Sequence, residues 1–328
     1  MSATRDSNKT RVARVIYRIG RMDSGPVADG PIAIVVSDFD GAHTGHVALA
    51  TLGVSLAEAS GAAVMALLPW PSPAGGDNTA APRLTTLEER IRRLRDWGVF
   101  SAMIIVPMPG APLDAPVALA RIRALGDVRA LVSEANPVGA ALALLSPEAV
   151  ALAEAEGLLA RTQADPAEAT NGASVAGGFG ARIAASLESG RLMEATAALG
   201  YPYTVTGEVI GGDRRGRLLG YPTANLRPDP SKIIPANGIY AARVRLPGDD
   251  APCQPAVVSI GVRPTFGADN RRLIEAHLLD ATLDLYGATI EVEFVAFLRP
   301  EVRFESVEAL IEQMDRDSDQ SRRLLGVK

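Results

Sequence analysis

Between Gly211 and Asn225 the chain reads Gly-Gly-Asp-Arg-Arg-Gly-Arg-Leu-Leu-Gly-Tyr-Pro-Thr-Ala-Asn, a composition suited to phosphate. Glycines such as Gly216 and Gly220 let backbone N–H groups come close to phosphate oxygens, and Arg217 adds a permanent positive charge. This is not a Walker A loop, because Arg217 and Leu218 stand where Lys and Ser or Thr are required, and it does not match the dinucleotide fingerprint. Directly after Pro222, Thr223 and Asn225 lie two apart, so in an extended segment both side chains face the same way. A hydroxyl and an amide oxygen aimed at one point could seat Mg²⁺ carried by a triphosphate. The same residues also read as a Gly-rich hairpin closed by a Thr-Asn turn.

Two other groups carry chemistry. Glu275 alternates with Ile274, Ala276 and Leu278, which projects it to the polar side of a strand beside His277. A carboxylate there could accept a proton from an attacking hydroxyl, or simply be solvated. Nearer the N-terminus, Asp38-Phe-Asp-Gly-Ala-His-Thr-Gly-His46 follows an apolar run and precedes a helical stretch. Imidazoles such as His43 and His46 at a helix start can bind a phosphate in transfer. A zinc centre fails for want of ligands, since the remaining histidine, His277, is in the other half and Cys253 is the lone cysteine.

The elements that must position these groups follow two grammars. Up to about Leu199, buried-strand runs at Ile32–Val36, Met65–Leu68 and Met103–Val106 alternate with helical stretches at 45–59 and 86–97, which is α/β order. A connection rich in Ala and Gly is expected over 164–180, then one helix over 181–199 with Ile183, Leu187 and Leu199 on its buried face. Beyond Tyr201, strands at 203–210, 238–246, 256–262, 273–280 and 289–298 without intervening helices imply an antiparallel sheet or barrel. A last helix is expected after Ser306 as its cap, with Val307, Leu310, Ile311 and Met314 on one stripe. The expected division is a tail and first strand over 1–30, an α/β domain over 31–200 and a barrel domain over 201–328.

A chain of 328 residues suits two domains. With 47% hydrophobic and 22% charged residues, a net charge of −5 and a pI near 5.4, it has no global electrostatic reason to seek nucleic acid or an anionic membrane. The longest uncharged run, 59–76, is broken by Pro69, Pro71 and Pro73, so no membrane segment is expected. The single cysteine excludes an intrachain disulfide and fits a reducing cytoplasm.

Six blocks in order resemble the riboflavin kinase family: Gly220–Leu226 with its preceding loop, Pro235–Tyr240, Ser259–Gly267, Glu275–Asp280, Asp284–Gly287 and Leu298–Phe304. The resemblance covers about 203–326 and implies a Greek-key barrel where ATP and riboflavin meet at the open end, with FMN as product. It assigns Thr223 and Asn225 to ATP and Mg²⁺, with Gly216, Arg217, Gly220 and Pro222 in the same loop, and Glu275 as the catalytic base. Arg299 is a candidate on the flavin side.

The first half resembles the FMN adenylyltransferase domain usually fused to this kinase in bacteria. His43 and His46, with Asp40 and Gly45, stand at the His-x-Gly-His region of the nucleotidyltransferase superfamily. The rest departs from that pattern. Ser133-Glu-Ala-Asn-Pro-Val-Gly139 replaces an aromatic-rich segment, Phe179-Gly-Ala-Arg-Ile-Ala184 lacks the hydroxyls and final arginine, and Trp70-Pro-Ser-Pro73 lacks a histidine. Losing donors worth about 10²-fold each predicts adenylyl transfer that is weak or lost. The expected activity is therefore riboflavin kinase. The alternatives are a bifunctional enzyme that also makes FAD and a non-catalytic flavin-binding protein.

Overall fold

A computed structural model describes residues 15–18, 26–71, 82–108, 113–134, 145–163, 178–212, 219–247, 253–262, 272–281 and 283–327. The chain divides into two compact units, Met1–Ala80 with Thr85–Ala181, and Arg182–Lys328 with Ala81–Leu84.

The first unit is built on a parallel sheet of β1 (Val15–Arg18), β2 (Pro31–Val36), β3 (Ala63–Pro71), β4 (Ala102–Met108), β5 (Asp127–Glu134) and β6 (Leu159–Gln163), in the order β1-β4-β3-β2-β5-β6. Its strands are apolar on both sides because both faces are covered. Ile32, Ile34, Met65, Leu67 and Ile104 pack with Leu119 and Ile122 of α3 (Ala115–Arg123) and Val150 of α4 (Pro147–Ala155). Their neighbours Ala33, Val35, Ala66, Leu68 and Met103 pack instead with Leu49 of α1 (Thr44–Ser60) and Leu94 of α2 (Leu87–Trp97). The chain leaves β2 at its C-terminal end to enter α1, and β2 is flanked by β3 and β5. In open parallel sheets, that reversal of strand order opens a crevice beyond the strand ends.

The second unit is a closed antiparallel barrel, β10-β11-β8-β7-β12-β9, formed by β7 (Thr204–Ile210), β8 (Ala224–Pro228), β9 (Gly238–Arg245), β10 (Cys253–Val262), β11 (Arg272–Leu278) and β12 (Thr289–Arg299). Alternate residues, among them Tyr240, Ala242, Val258, Ile260, Ile274, Ala276, Val292 and Phe294, are buried in its interior. The sixth strand, β8, adds to the five that the sequence pattern implies.

The expected helix over 181–199 is two helices, α5 (Gly178–Glu188) and α6 (Leu192–Leu199). Gly190 separates them with φ 76, a left-handed conformation that ends an α-helix. Ile183, Leu187 and Leu199 are buried as expected. The closing helix, α7 (Val307–Leu325), is capped by Ser306, whose Oγ accepts from Ala309 N at 3.1 Å. Its buried face departs from the expected stripe. Val307 is exposed, Leu310, Ile311 and Met314 are half-buried, and the buried positions are Asp317, Ser318, Ser321 and Leu325. Asp317 is drawn inward because it receives the guanidinium of Arg299.

Candidate functional sites

In the barrel, β8 runs antiparallel to β11 with Asn225 directly opposite Glu275, Leu226 opposite Ile274 and Ala224 opposite Ala276. Ser259 of β10 opposes Glu275 from the other side. Directly opposed residues of an antiparallel pair share a face, with Cβ atoms about 5 Å apart. Because Leu226, Ile274 and Ala276 are buried, Asn225, Glu275 and Ser259 form one row on the opposite, outward side of the wall. Two residues 50 positions apart in the sequence, both oxygen-bearing, are thereby neighbours. Asn225 is 7% exposed, and its amide is packed against the backbone of Gly212.

The segment leading into β8 is held by His277, a residue with no role assignable from the sequence. His277 Nδ1 lies 2.9 Å from the carbonyl oxygen of Pro222; a carbonyl only accepts, so the ring donates. The Tyr221 ring sits 5.1 Å from that imidazole, and its hydroxyl donates to Asp315 on α7. Burial first, then the bond to Asp315, pushes the Tyr221 phenol up to about 12, so it remains a donor at neutral pH. Asp280, just beyond β11, pairs with Arg322 of α7 at 2.8 Å, which holds its carboxyl below the usual range. Pro222 and Thr223 are half-buried in this framework, and Gly220 precedes them with φ 87. Gly216 and Arg217 lie outside the described residues. Arg299 is engaged from two directions: Nε and Nη2 donate to Asp317 at 3.0 and 2.7 Å, and Nη1 donates to Pro300 O at 3.1 Å. Its guanidinium clamps β12 to α7.

Thr223, Asn225, Ser259 and Glu275 offer hydroxyl, amide and carboxylate oxygens. That hard-oxygen set fits Mg²⁺, which keeps several waters and takes one or two protein ligands beside phosphate.

The first unit has a second cluster, at the C-terminal ends of β2 and β5. The turn from β2 into α1 passes through left-handed conformations at Phe39, Gly41 and Ala42, with φ 53, 81 and 40. Such strain at non-glycine residues is held by what surrounds it. Here the anchor is Arg90, fully buried, which donates to Asp40 Oδ1 at 2.6 Å, to Thr85 Oγ1 at 3.1 Å and to the carbonyl of Asp38. Asp40 also accepts from Thr85 N and Oγ1. It is therefore part of the scaffold of the turn.

The turn delivers His43 and His46, 7% and 3% exposed, with rings stacked at 3.7 Å. Gly45, between them, is half-buried in the first turn of α1. His46 Nδ1 accepts from His43 N at 3.3 Å, so Nε2 carries the proton and faces Glu134 Oε1 at 3.5 Å. Ser37 Oγ donates to that same carboxylate oxygen. Burial works to raise the Glu134 carboxyl, but His46 and Ser37 outweigh it and hold the group below its usual range. Asp38 is raised, by burial first and against the pull of Arg90, with Asp40 and Glu134 adding repulsion. The Phe179 ring lies 4.5 Å from His43. Of the departures noted in the sequence, Ala135–Gly139 and Ser72–Pro73 lie outside the described residues. Among the described residues no helix is long and apolar enough to cross a membrane, and no group of three or more His, Cys, Asp or Glu could hold a metal ion.

Two family models match separate parts of the chain. Residues 199–325 match the family model described as riboflavin kinase, and residues 26–107 match the one described as FAD synthetase. The bifunctional riboflavin kinase/FMN adenylyltransferase of Listeria monocytogenes is 41% identical over 140 residues, and those of Bacillus subtilis and Escherichia coli are 36% and 39% identical. Each match covers 43% of this chain and 44% of the relative, so less than half of each relative's length is matched. A crystal structure titled macrolide-efflux protein, from Streptococcus pneumoniae, shares the fold, with TM-score 0.76 and 23% identity over 94% of this chain and 99% of that one.

Proposed function

Because the chain belongs to the family of bifunctional riboflavin kinases/FMN adenylyltransferases, we propose that its barrel phosphorylates the 5′-hydroxyl of riboflavin with Mg²⁺-ATP, giving FMN and ADP. The observation that carries this reading is the direct opposition of Asn225 and Glu275 across β8 and β11. It sets an amide oxygen suited to metal-bound phosphate beside a carboxylate suited to take a proton. Phosphoryl transfer asks the protein mainly for position and charge. Thr223 and Asn225 would hold the triphosphate through its metal, and Mg²⁺ bound there would supply positive charge to the phosphates. Gly216, Arg217, Gly220 and Pro222 belong to the loop that encloses the phosphates, with Pro222 held by His277. Glu275 accepts the ribityl hydroxyl proton as its oxygen attacks phosphorus. Arg299 acts on the flavin side only indirectly, through the β12–α7 clamp. A metabolic role of this kind, together with the lone cysteine, fits a cytoplasmic enzyme.

The test is chromatography of products after incubation with riboflavin, ATP and Mg²⁺, scoring FMN and FAD separately. Glu275→Ala should lose turnover by roughly 10²- to 10⁴-fold, the usual worth of a general base, while still binding riboflavin. Wild-type protein that binds flavin and forms no FMN would convict the alternative, a non-catalytic binding module. For the first unit, we read an adenylyltransferase fold with weak or lost activity. The retained pair His43 and His46 supports the competing reading, a bifunctional enzyme. FAD formed from FMN and ATP as fast as FMN is formed from riboflavin would establish that second activity.

A further inference from the structure

We infer that Glu134 is a built-in anion that keeps nucleotide phosphate out of the His43–His46 site. This rests on reading the first unit as adenylyltransferase-like, and it supplies a cause for the loss of activity proposed there. The site keeps the features that suit a phosphate: two buried imidazoles at the start of a 17-residue helix, at the strand ends where the order of the sheet reverses. Two of its donors, on His46 and Ser37, are already committed. The proton on His46 Nε2 faces Glu134 Oε1 at 3.5 Å, and the Ser37 hydroxyl is given to the same oxygen. The carboxylate thus stands where an anion bound to His46 would have to stand.

Charge and shape act in the same direction. Asp38, Asp40 and Glu134 bring three carboxyls to this end of the sheet, and the buried guanidinium of Arg90 is bound to Asp40 and to the Asp38 carbonyl. A triphosphate would therefore meet Glu134 with no unspent arginine among the described residues of the cluster to offset it. The Phe179 ring packs on His43, so an apolar surface covers the other imidazole. Glu134 reaches this place because β5 pairs in parallel with β2, with Ser133 opposite Val36, so the next residue of each strand lies at the mouth of the same crevice. Its side chain is 27% exposed, which leaves it open to the space a ligand would fill.

The test counts nucleotide sites on the full chain by equilibrium dialysis against a non-hydrolysable ATP analogue with Mg²⁺. Wild type should bind one equivalent, in the barrel, and Glu134→Ala should bind one more. Glu134→Gln keeps the side-chain volume and a partner for Ser37 while removing the charge, and it decides the matter if the alanine variant does not fold. An additional equivalent in either folded variant supports the inference. Two equivalents in wild type, or no increment in folded variants, overturns it. FMN formation measured on the same samples should be unchanged. If the kinase reading is wrong instead, wild type makes no FMN and binds no analogue, yet the increment of one on removing Glu134 remains, so the two failures are distinguishable.

Discussion

A methyl group on Gly212 would stand 2.1 Å from Asn225 Nδ2 and 2.7 Å from its Cγ. Ordinary contact begins at 3.4 Å, so the amide must retreat by about 1.3 Å. Asn225 has little room to do so, being 7% exposed and fixed in the β8–β11 ladder opposite Glu275. Gly212 is outside the left-handed region, so alanine meets no backbone strain there, and the effect comes from the added carbon alone. Misplacing a positioning group by about 1 Å costs on the order of 10²-fold in rate, or about 2.7 kcal/mol of transition-state stabilisation. Gly212→Ala should therefore lower kcat/KM for ATP about 100-fold in FMN formation, with ATP varied at fixed Mg²⁺. Gly211 supplies the control. A Cβ there meets Tyr286 Cε2 at 3.6 Å, an ordinary contact, and Gly211→Ala should stay within about twofold of wild type. A Gly212→Ala enzyme with wild-type kcat/KM would refute the placement of Asn225 in the site. Two variants that fall together would show that the loop tolerates no side chain for some other reason.

Three further outcomes follow from named contacts. Asp317 is 3% exposed and receives Arg299, so Asp317→Ala, which strands a guanidinium, should cost about 3 kcal/mol in urea unfolding, while a double change to apolar residues at both positions should recover much of it. Ser306→Ala removes the cap of α7 and should cost about 1 kcal/mol; a loss near zero would mean that the first turn of α7 contributes nothing to stability. The Glu134 carboxyl is held below its ordinary value of 4.5 by His46 and Ser37 against the opposing effect of burial. A depressed acid adds stability above its unfolded pKa and loses it as the pH falls through the folded one. Glu134→Gln should therefore melt below wild type at neutral pH, with the gap closing below about pH 4.5, and a gap that widens in acid would contradict the stabilised carboxylate.

Both sites consist of residues brought together by strand register, and this determines what could be read from sequence. The barrel strands were visible because buried and exposed residues alternate, as in Ile274, Ala276 and Leu278 around Glu275. The strand β8 was not, because it has five residues, contains one large apolar side chain (Leu226) and ends on a proline. Without β8 the opposition of Asn225 and Glu275 could not be seen, although each was picked out alone. The stripe on α7 failed differently: apolarity was taken to mark burial, whereas the buried positions there follow Asp317, whose partner Arg299 lies on another element. Glu134 went unassigned because a residue inside a segment that departs from its pattern carries no local signal. It acquires a role only when β5 is aligned with β2 and Ser37 becomes its neighbour. A slip of one residue in a strand turns every side chain to the other face. The apolar residues Leu226, Ile274 and Ala276 exclude that slip in the barrel, because it would bury Asn225 and Glu275 in the interior. Residues that touch no substrate therefore decide where the reacting oxygens stand. A polar substitution at Ile274 should then impair the site through register as well as through stability.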